Sequence, residues 1–226
     1  MTDSLTFAQG DAIHDVLKHR ISVGGPSHLW GKWKCQCGTT KTEEPCLLSE
    51  VDLETKCRAC GQPTVGYVEV SMRDEELKVV GNPDVLLLLP EFRALYVAEL
   101  KSISHEQWKE LVRPQPDHVM QVVFYWLLMR RKGYRLIDKV SVVYATKGWM
   151  FSGSPIKEFV IDPLAELARL NTYLDDARAM VAFREGGPLP KRVCQSDQVT
   201  QAKQCDVCST CFGAAGNEKP VEISIS

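Results

Sequence analysis

The chain has 226 residues, a formal charge of −2 at pH 7 and 44% hydrophobic content, which suits one sizeable domain with a small appended module. The near-zero charge excludes a protein that coats nucleic acid by bulk electrostatics, and no apolar run approaches the ~20 residues of a membrane-spanning helix. The start, MTDSLTFAQG, lacks the basic and apolar regions of a signal peptide, so a cytoplasmic chain is expected, and its nine cysteines then point to metal or cluster binding rather than disulfides.

Ser4 to Arg20 predicts a helix, with Phe7, Ile13 and Leu17 on one face and Gly10 allowing close packing. His14 lies one turn after Gly10; alone, it reads equally well as a structural histidine. Ser22 to Ser27 is a loop. From Trp30 to Thr64 the composition changes. Cys35-x-Cys37-Gly38 is followed, after nineteen residues, by Cys57-x-x-Cys60-Gly61. The glycine after each pair permits a tight turn that aims backbone amides at sulfur. Four thiolates suit tetrahedral Zn²⁺, and a site closed on all four sides is structural rather than catalytic. So small a segment is not expected to build its own core, and metal would supply its folding energy. Cys46, between the two pairs, has no assigned role.

Thr64 to Arg73 and Glu76 to Val80 read as paired strands. Val85 to Leu89 is an unbroken apolar run, the mark of a strand covered on both faces, and Ala94 to Leu100 is the next strand after a turn at Pro90–Arg93. Together these predict a four-stranded core sheet. Asp84 stands at the entrance of the apolar run. Alternation along the following strand puts Glu99 and Lys101 on one face and sends Leu100 the other way. Two carboxylates with a lysine beside them form a hard-cation site suited to Mg²⁺ or Mn²⁺.

Ser104 to Val112 predicts a short helix capped by Ser104, with Trp108 and Leu111 inward. After the loop Arg113–Asp117 a longer apolar helix runs to about Lys132. Gln121 and Tyr125 share a face of it, with His118 one turn earlier; His118 is expected to cap the helix or face solvent. Tyr125 alone would pass for core, whereas Gln121 is polar in an otherwise apolar helix. Arg130, Arg131, Lys132 and Gly133 end the helix as its dipole and an αL terminus favour. Asp138 to Thr146 and Lys157 to Ile161 are further strands, and Pro163 opens a helix to about Arg184 with Asp162 as its N-cap. Leu100 to Met150 holds nine Lys/Arg against four Asp/Glu, a local excess that could face a phosphate backbone. Gly186 to Pro190 breaks the chain before Cys194, Cys205, Cys208 and Cys211, and residues 214–226 form a tail. Neither a Walker-A motif nor GxGxxG occurs, so no ATP motor or nucleotide cofactor is indicated.

Asp84, preceded by Gly81, with Glu99-x-Lys101 at a strand end, resembles the motif of the PD-(D/E)XK nuclease superfamily. Gly10-x-x-x-His14 upstream and Gln121-x-x-x-Tyr125 downstream resemble the helix motifs of its RecB-type exonucleases, in the same order. The cysteines from Cys194 to Cys211 resemble, more loosely, the set of the iron–sulfur members, which include the CRISPR-associated adaptation nucleases. In those, the lone cysteine precedes the nuclease motifs; here none precedes Cys35.

The resemblance implies a restriction-endonuclease-like α/β fold, a central mixed sheet flanked by helices. Residues 1–29 and 64–185 would form the nuclease core, 30–63 a zinc-ribbon insertion and 186–213 a cysteine-ligated element. It implies a DNA exonuclease of recombination, repair or end processing, similar to the small phage recombination exonucleases. His14, Asp84, Glu99 and the Leu100 carbonyl would hold Mg²⁺ or Mn²⁺, Lys101 would serve the attacking water, and Gln121 and Tyr125 would position the strand. Cys194, Cys205, Cys208 and Cys211 would hold a 4Fe–4S cluster, with Cys46 competing for the fourth place; a second Zn²⁺ fits the same thiolates. DNA is the expected partner, with a recombinase, helicase or integrase, and an oligomer is possible. The competing reading is a non-catalytic, metal-stapled module that binds DNA or protein.

Overall fold

The computed structural model describes residues 10–18, 28–35, 37–38, 42–51, 56–62, 64–148, 153–192, 194–203, 205, 208 and 212. Residues 10–18 form helix α1. The strands are β1 Trp30–Cys35, β2 Cys46–Leu47, β3 Thr64–Val68, β4 Met72–Asp74, β5 Val79–Gly81, β6 Val85–Leu89, β7 Ala94–Ile103, β8 Leu136–Thr146 and β9 Ile156–Ile161. The other helices are α2 His105–Glu110, α3 Pro116–Arg131, α4 Pro163–Arg184 and α5 Thr200–Lys203. The chain is thus mixed α/β. Its residues divide into two compact units, Met1–Ala177 and Arg178–Ser226. Among the described residues, no helix is long and apolar enough to cross a membrane.

The central sheet of the first unit has the order β6-β7-β8-β9 and is mixed: β6 and β9 run antiparallel to their neighbours, and β7 is parallel to β8. The parallel pair requires a crossover, and α2 and α3 supply it. Ser104 caps α2 in a reciprocal box with Gln107, each accepting the other's backbone N–H at 3.2 Å. Pro116 opens α3, which ends where Gly133 takes φ +85°. From α3, Val119, Val122, Val123, Trp126 and Met129 are buried with Val97 and Ile103 of β7 and Val140, Val142 and Tyr144 of β8. The other face of β7, with Ala98 and Leu100, packs with Leu29, Trp33 and Val51.

The expected four-stranded core therefore needs correcting. Thr64–Val68 pairs with β1 in a separate sheet ordered β2-β1-β3, and β4 with β5 forms a third, two-stranded sheet. Pro83, which has no N–H to offer, interrupts the chain between β5 and β6. The outer edge of β6 is instead met by the residues before β1: Leu29 bridges Leu87, and Leu88 N–H donates to the His28 carbonyl at 2.7 Å. The cysteine-bearing segment also differs from expectation. Trp33 is fully buried, stands edge-on to Tyr67 and donates Nε1–H to the Cys46 carbonyl at 3.0 Å. It shares its apolar core with β6 and β7 rather than relying on metal alone.

In the second unit, α4 ends in paired bonds, Gly187 N–H to the Ala182 carbonyl and Gly186 N–H to that of Phe183, with Gly186 at φ +92°. Beyond it the Arg192 guanidinium lies over the Phe212 ring at 5.0 Å.

Candidate active site

The register Val85↔Ala98 brings Asp84, one residue before β6, alongside Glu99 of β7. Asp84 Oδ2 accepts the Leu100 N–H at 2.9 Å, which ties the carboxylate to the strand carrying Glu99 and Lys101. Strand alternation then decides the faces. Leu100 goes into the core with Leu29 and Trp33, while Glu99 and Lys101 lie on the side of α3. Lys101 Nζ donates to Glu99 Oε1 at 2.7 Å. Glu99 is only 3% exposed, and its Oε2 is buried without a partner.

Helix α1 supplies the next groups. A Cβ on Gly10 would lie 3.0 Å from Ser102 Oγ, so this helix starts hard against β7. One turn on, His14 Nε2 is buried without a partner. A further turn on, Lys18 Nζ reaches Asp84 Oδ1 at 3.2 Å and Glu69 Oε1 at 2.5 Å. Among the described residues four buried side-chain polar atoms lack a partner: His14 Nε2, Tyr67 Oη, Glu99 Oε2 and Trp108 Nε1. The residues of the first three all feel the Asp84 charge.

The electrostatics follow from burial inside this group. Burial, and next the Asp84 charge, push the Glu99 carboxyl up to about 7 against the pull of Lys101. Burial, with Lys18 and Lys101, lowers His14 and keeps the imidazole neutral at pH 7, against the pull of Asp84. For Lys18 burial works downward, but the Glu69 hydrogen bond and the Asp84 charge prevail and hold the ammonium above its ordinary value. Burial raises the Tyr125 hydroxyl, helped by the charges of Glu99, Asp84 and Glu69. The Tyr125 hydroxyl accepts from Gln121 Nε2 at 2.8 Å. Its ring lies on Gly81, where an added Cβ would come within 2.7 Å of Cε1.

The structure thus gathers His14, Asp84, Glu99 and Lys101, with the Gln121–Tyr125 pair beside them. His118 differs from expectation: it neither caps α3 nor faces solvent freely, but is half-buried, with Nδ1 2.8 Å from the Tyr144 hydroxyl. Lys18, Glu69 and Tyr67 belong to the site and were missed. Lys18 had a readable signal, since it follows His14 by four residues and shares its helix face. Glu69 and Tyr67 had none, because only the β1–β3 pairing brings them here.

A distinct centre lies at the end of β1. The sulfurs of Cys35, Cys37, Cys57 and Cys60 all lie within 4.8 Å of one another, in no disulfide, and could hold a metal ion. The knuckle turns are formed by Gly38 N–H to the Cys35 carbonyl and Gly61 N–H to that of Cys57, with φ +87° and +68° at the glycines. Cys46 stands apart from this set and packs with Trp33. Among the described residues no other three His, Cys, Asp or Glu ligand atoms come so close. His14, Asp84 and Glu99 are more widely spread, with the Lys18 ammonium between Asp84 and Glu69. Cys194 and Cys208 are half-buried, Cys205 is exposed, and none of them is in a disulfide; Cys211 lies outside the described residues. Comparison with known proteins finds no matching family model and no matching curated relative.

Proposed function

We propose that the chain is a divalent-metal-dependent deoxyribonuclease of the PD-(D/E)XK type, acting as an exonuclease on DNA ends or single strands. The supporting observation is that His14 Nε2 and Glu99 Oε2 are buried without a partner in residues on which the Asp84 charge acts. An unsatisfied buried polar group costs about 1–3 kcal/mol, and a cation shared by His14 Nε2 and Glu99 Oε2 would remove that cost. They and Asp84 would hold it, with the Leu100 carbonyl as the resemblance implies. Bound there, Mg²⁺ or Mn²⁺ acidifies water and neutralises charge on the scissile phosphate. Lys101, next to Glu99, holds the attacking water and steadies the same phosphate. Gln121 and Tyr125 orient the strand, and loss of the 3′ oxygen leaves 5′-phosphate ends.

The thiolates of Cys35, Cys37, Cys57 and Cys60 are read as a structural zinc site, and Cys194, Cys205, Cys208 and Cys211 as ligands of a 4Fe–4S cluster or second zinc. A role in recombination, repair or end processing, beside a recombinase, helicase or integrase, fits such an activity. A non-catalytic module is the second reading. It is favoured by the pairing of Lys18 and Lys101 with carboxylates, as in a purely structural ion network. That network leaves Glu99 Oε2 and His14 Nε2 unexplained, and buried ion pairs are poor stabilisers in themselves.

The test is digestion of end-labelled linear DNA with Mg²⁺ or Mn²⁺ by the parent, Glu99→Ala and Lys101→Ala. Metal-dependent loss of label that both substitutions abolish supports the nuclease, and the label's release gives polarity. DNA binding without cleavage by metal-replete parent supports the module.

A further inference from the structure

Tyr144 lies opposite Lys101 in the β7–β8 register, on the side of the sheet that carries Glu99 and faces α3. Its hydroxyl is the meeting point of two groups: the Gln115 N–H donates to it at 2.9 Å, and His118 Nδ1 stands 2.8 Å away. Tyr144 is fully buried, so its own proton needs an acceptor inside the protein. The acceptor at hand is Nδ1. If Nδ1 carried a proton instead, two donors would face the hydroxyl and the buried Tyr144 proton would have nowhere to go. The network therefore assigns the proton of His118 to Nε2.

His118 also begins a stripe. It precedes Gln121 by three residues and Tyr125 by seven, so the three side chains follow one face of α3 towards the carboxylates. We infer that His118 is a further strand-binding residue of this site, donating its Nε2–H to a phosphate oxygen of the DNA beside Lys101. Burial, and next the Lys101 charge, lower its pKa to about 4, so the ring is a neutral donor at working pH. It adds a directed hydrogen bond where a second charge next to Lys101 would be repelled. The role rests on the nuclease reading for its catalytic readout and on DNA binding alone for its second readout.

The experiment compares the parent with His118→Phe, which keeps a ring and loses the donor, and His118→Gln, which restores an N–H donor. Steady-state digestion of a labelled oligonucleotide should show His118→Phe raising KM roughly tenfold, the scale of one charge-assisted hydrogen bond. Its kcat should change by less than about threefold, and His118→Gln should recover most of the loss. Long-range ¹H–¹⁵N spectra of the parent should show the neutral Nε2–H form. If the parent cuts DNA and His118→Phe leaves KM unchanged, the role of His118 is overturned while the nuclease stands. If the parent does not cut, the nuclease reading falls, and the Kd of the labelled oligonucleotide decides: a roughly tenfold weakening in His118→Phe upholds the contact, while an unchanged Kd, or no binding by the parent, overturns it. A proton on Nδ1, or failure of His118→Gln to restore binding, overturns it as well.

Discussion

Glu99 offers a test that needs no substrate. Its carboxyl is pushed from an ordinary 4.5 up to about 7, by burial and by Asp84, so the folded state keeps a proton that the unfolded chain has lost. For a carboxylate raised in this way, stability is greatest on the acid side and falls as pH rises through the folded value. Between about pH 6 and pH 8 the unfolded group is ionised throughout, while the folded group holds on average about half a proton over those two units, an area of about one proton times one pH unit. That area corresponds to about 1.3 kcal/mol. Glu99→Gln resembles the neutral acid and has no such titration. Measured by urea unfolding without Mg²⁺ or Mn²⁺, the stability of Glu99→Gln minus that of the parent should grow by about 1.3 kcal/mol from pH 6 to pH 8. Every titration common to both proteins, that of the thiolates included, cancels in this difference. Adding Mg²⁺ at pH 8 should stabilise the parent and leave Glu99→Gln unmoved. A difference that stays flat, or shrinks with rising pH, would refute the burial argument for Glu99.

Three other perturbations address the neighbouring groups. Lys18→Met strips Asp84 and Glu69 of their shared ammonium; the metal-free protein should lose about 1–2 kcal/mol, discounted for partial exposure, and Mn²⁺ should restore part of it in melting experiments. An unchanged melting temperature in the metal-free protein would contradict this. Gly81→Ala drives a Cβ to within 2.7 Å of Tyr125 Cε1 and 3.1 Å of Leu128 Cδ1. The expected cost is about 1–3 kcal/mol in urea unfolding, together with slower cleavage as Tyr125 is displaced. Cys57→Ser should release zinc, as read by elemental analysis, and should also destabilise β6 and β7 in hydrogen exchange, because Trp33 and Leu29 join the two regions. Loss of zinc with protection unchanged would show that the cores are separable.

The parts legible in the sequence were those governed by short-range chemistry. Alternation in Ala94–Leu100 placed Glu99 and Lys101 on one face and Leu100 on the other, and the two clusters around β7 show that division. Ser104 at the start of α2, Asp162 before α4 and Gly133 after α3 were readable because a cap depends on a few neighbouring residues. Strand partnership was not. The patterns of Thr64–Val68 and Val79–Gly81 mark strands without stating which edge they meet, and the Leu29–Leu87 bridge spans too much sequence to leave a local trace. The same reason hid Glu69, Tyr67 and Tyr144, which reach the acidic centre through long-range pairing. His118 was misjudged because its partner, Tyr144, comes from a strand that follows α3 and returns beneath it.

The central claim is that His14 Nε2, Asp84 and Glu99 Oε2 face a divalent cation. Anomalous diffraction from crystals soaked in Mn²⁺ tests it most directly. The account predicts a manganese peak in coordinating contact with those three groups, lost in Glu99→Gln, with the Lys18 ammonium drawn away from Asp84. Manganese at no site, or only at the cysteine sulfurs, with Lys18 still on Asp84, would contradict it.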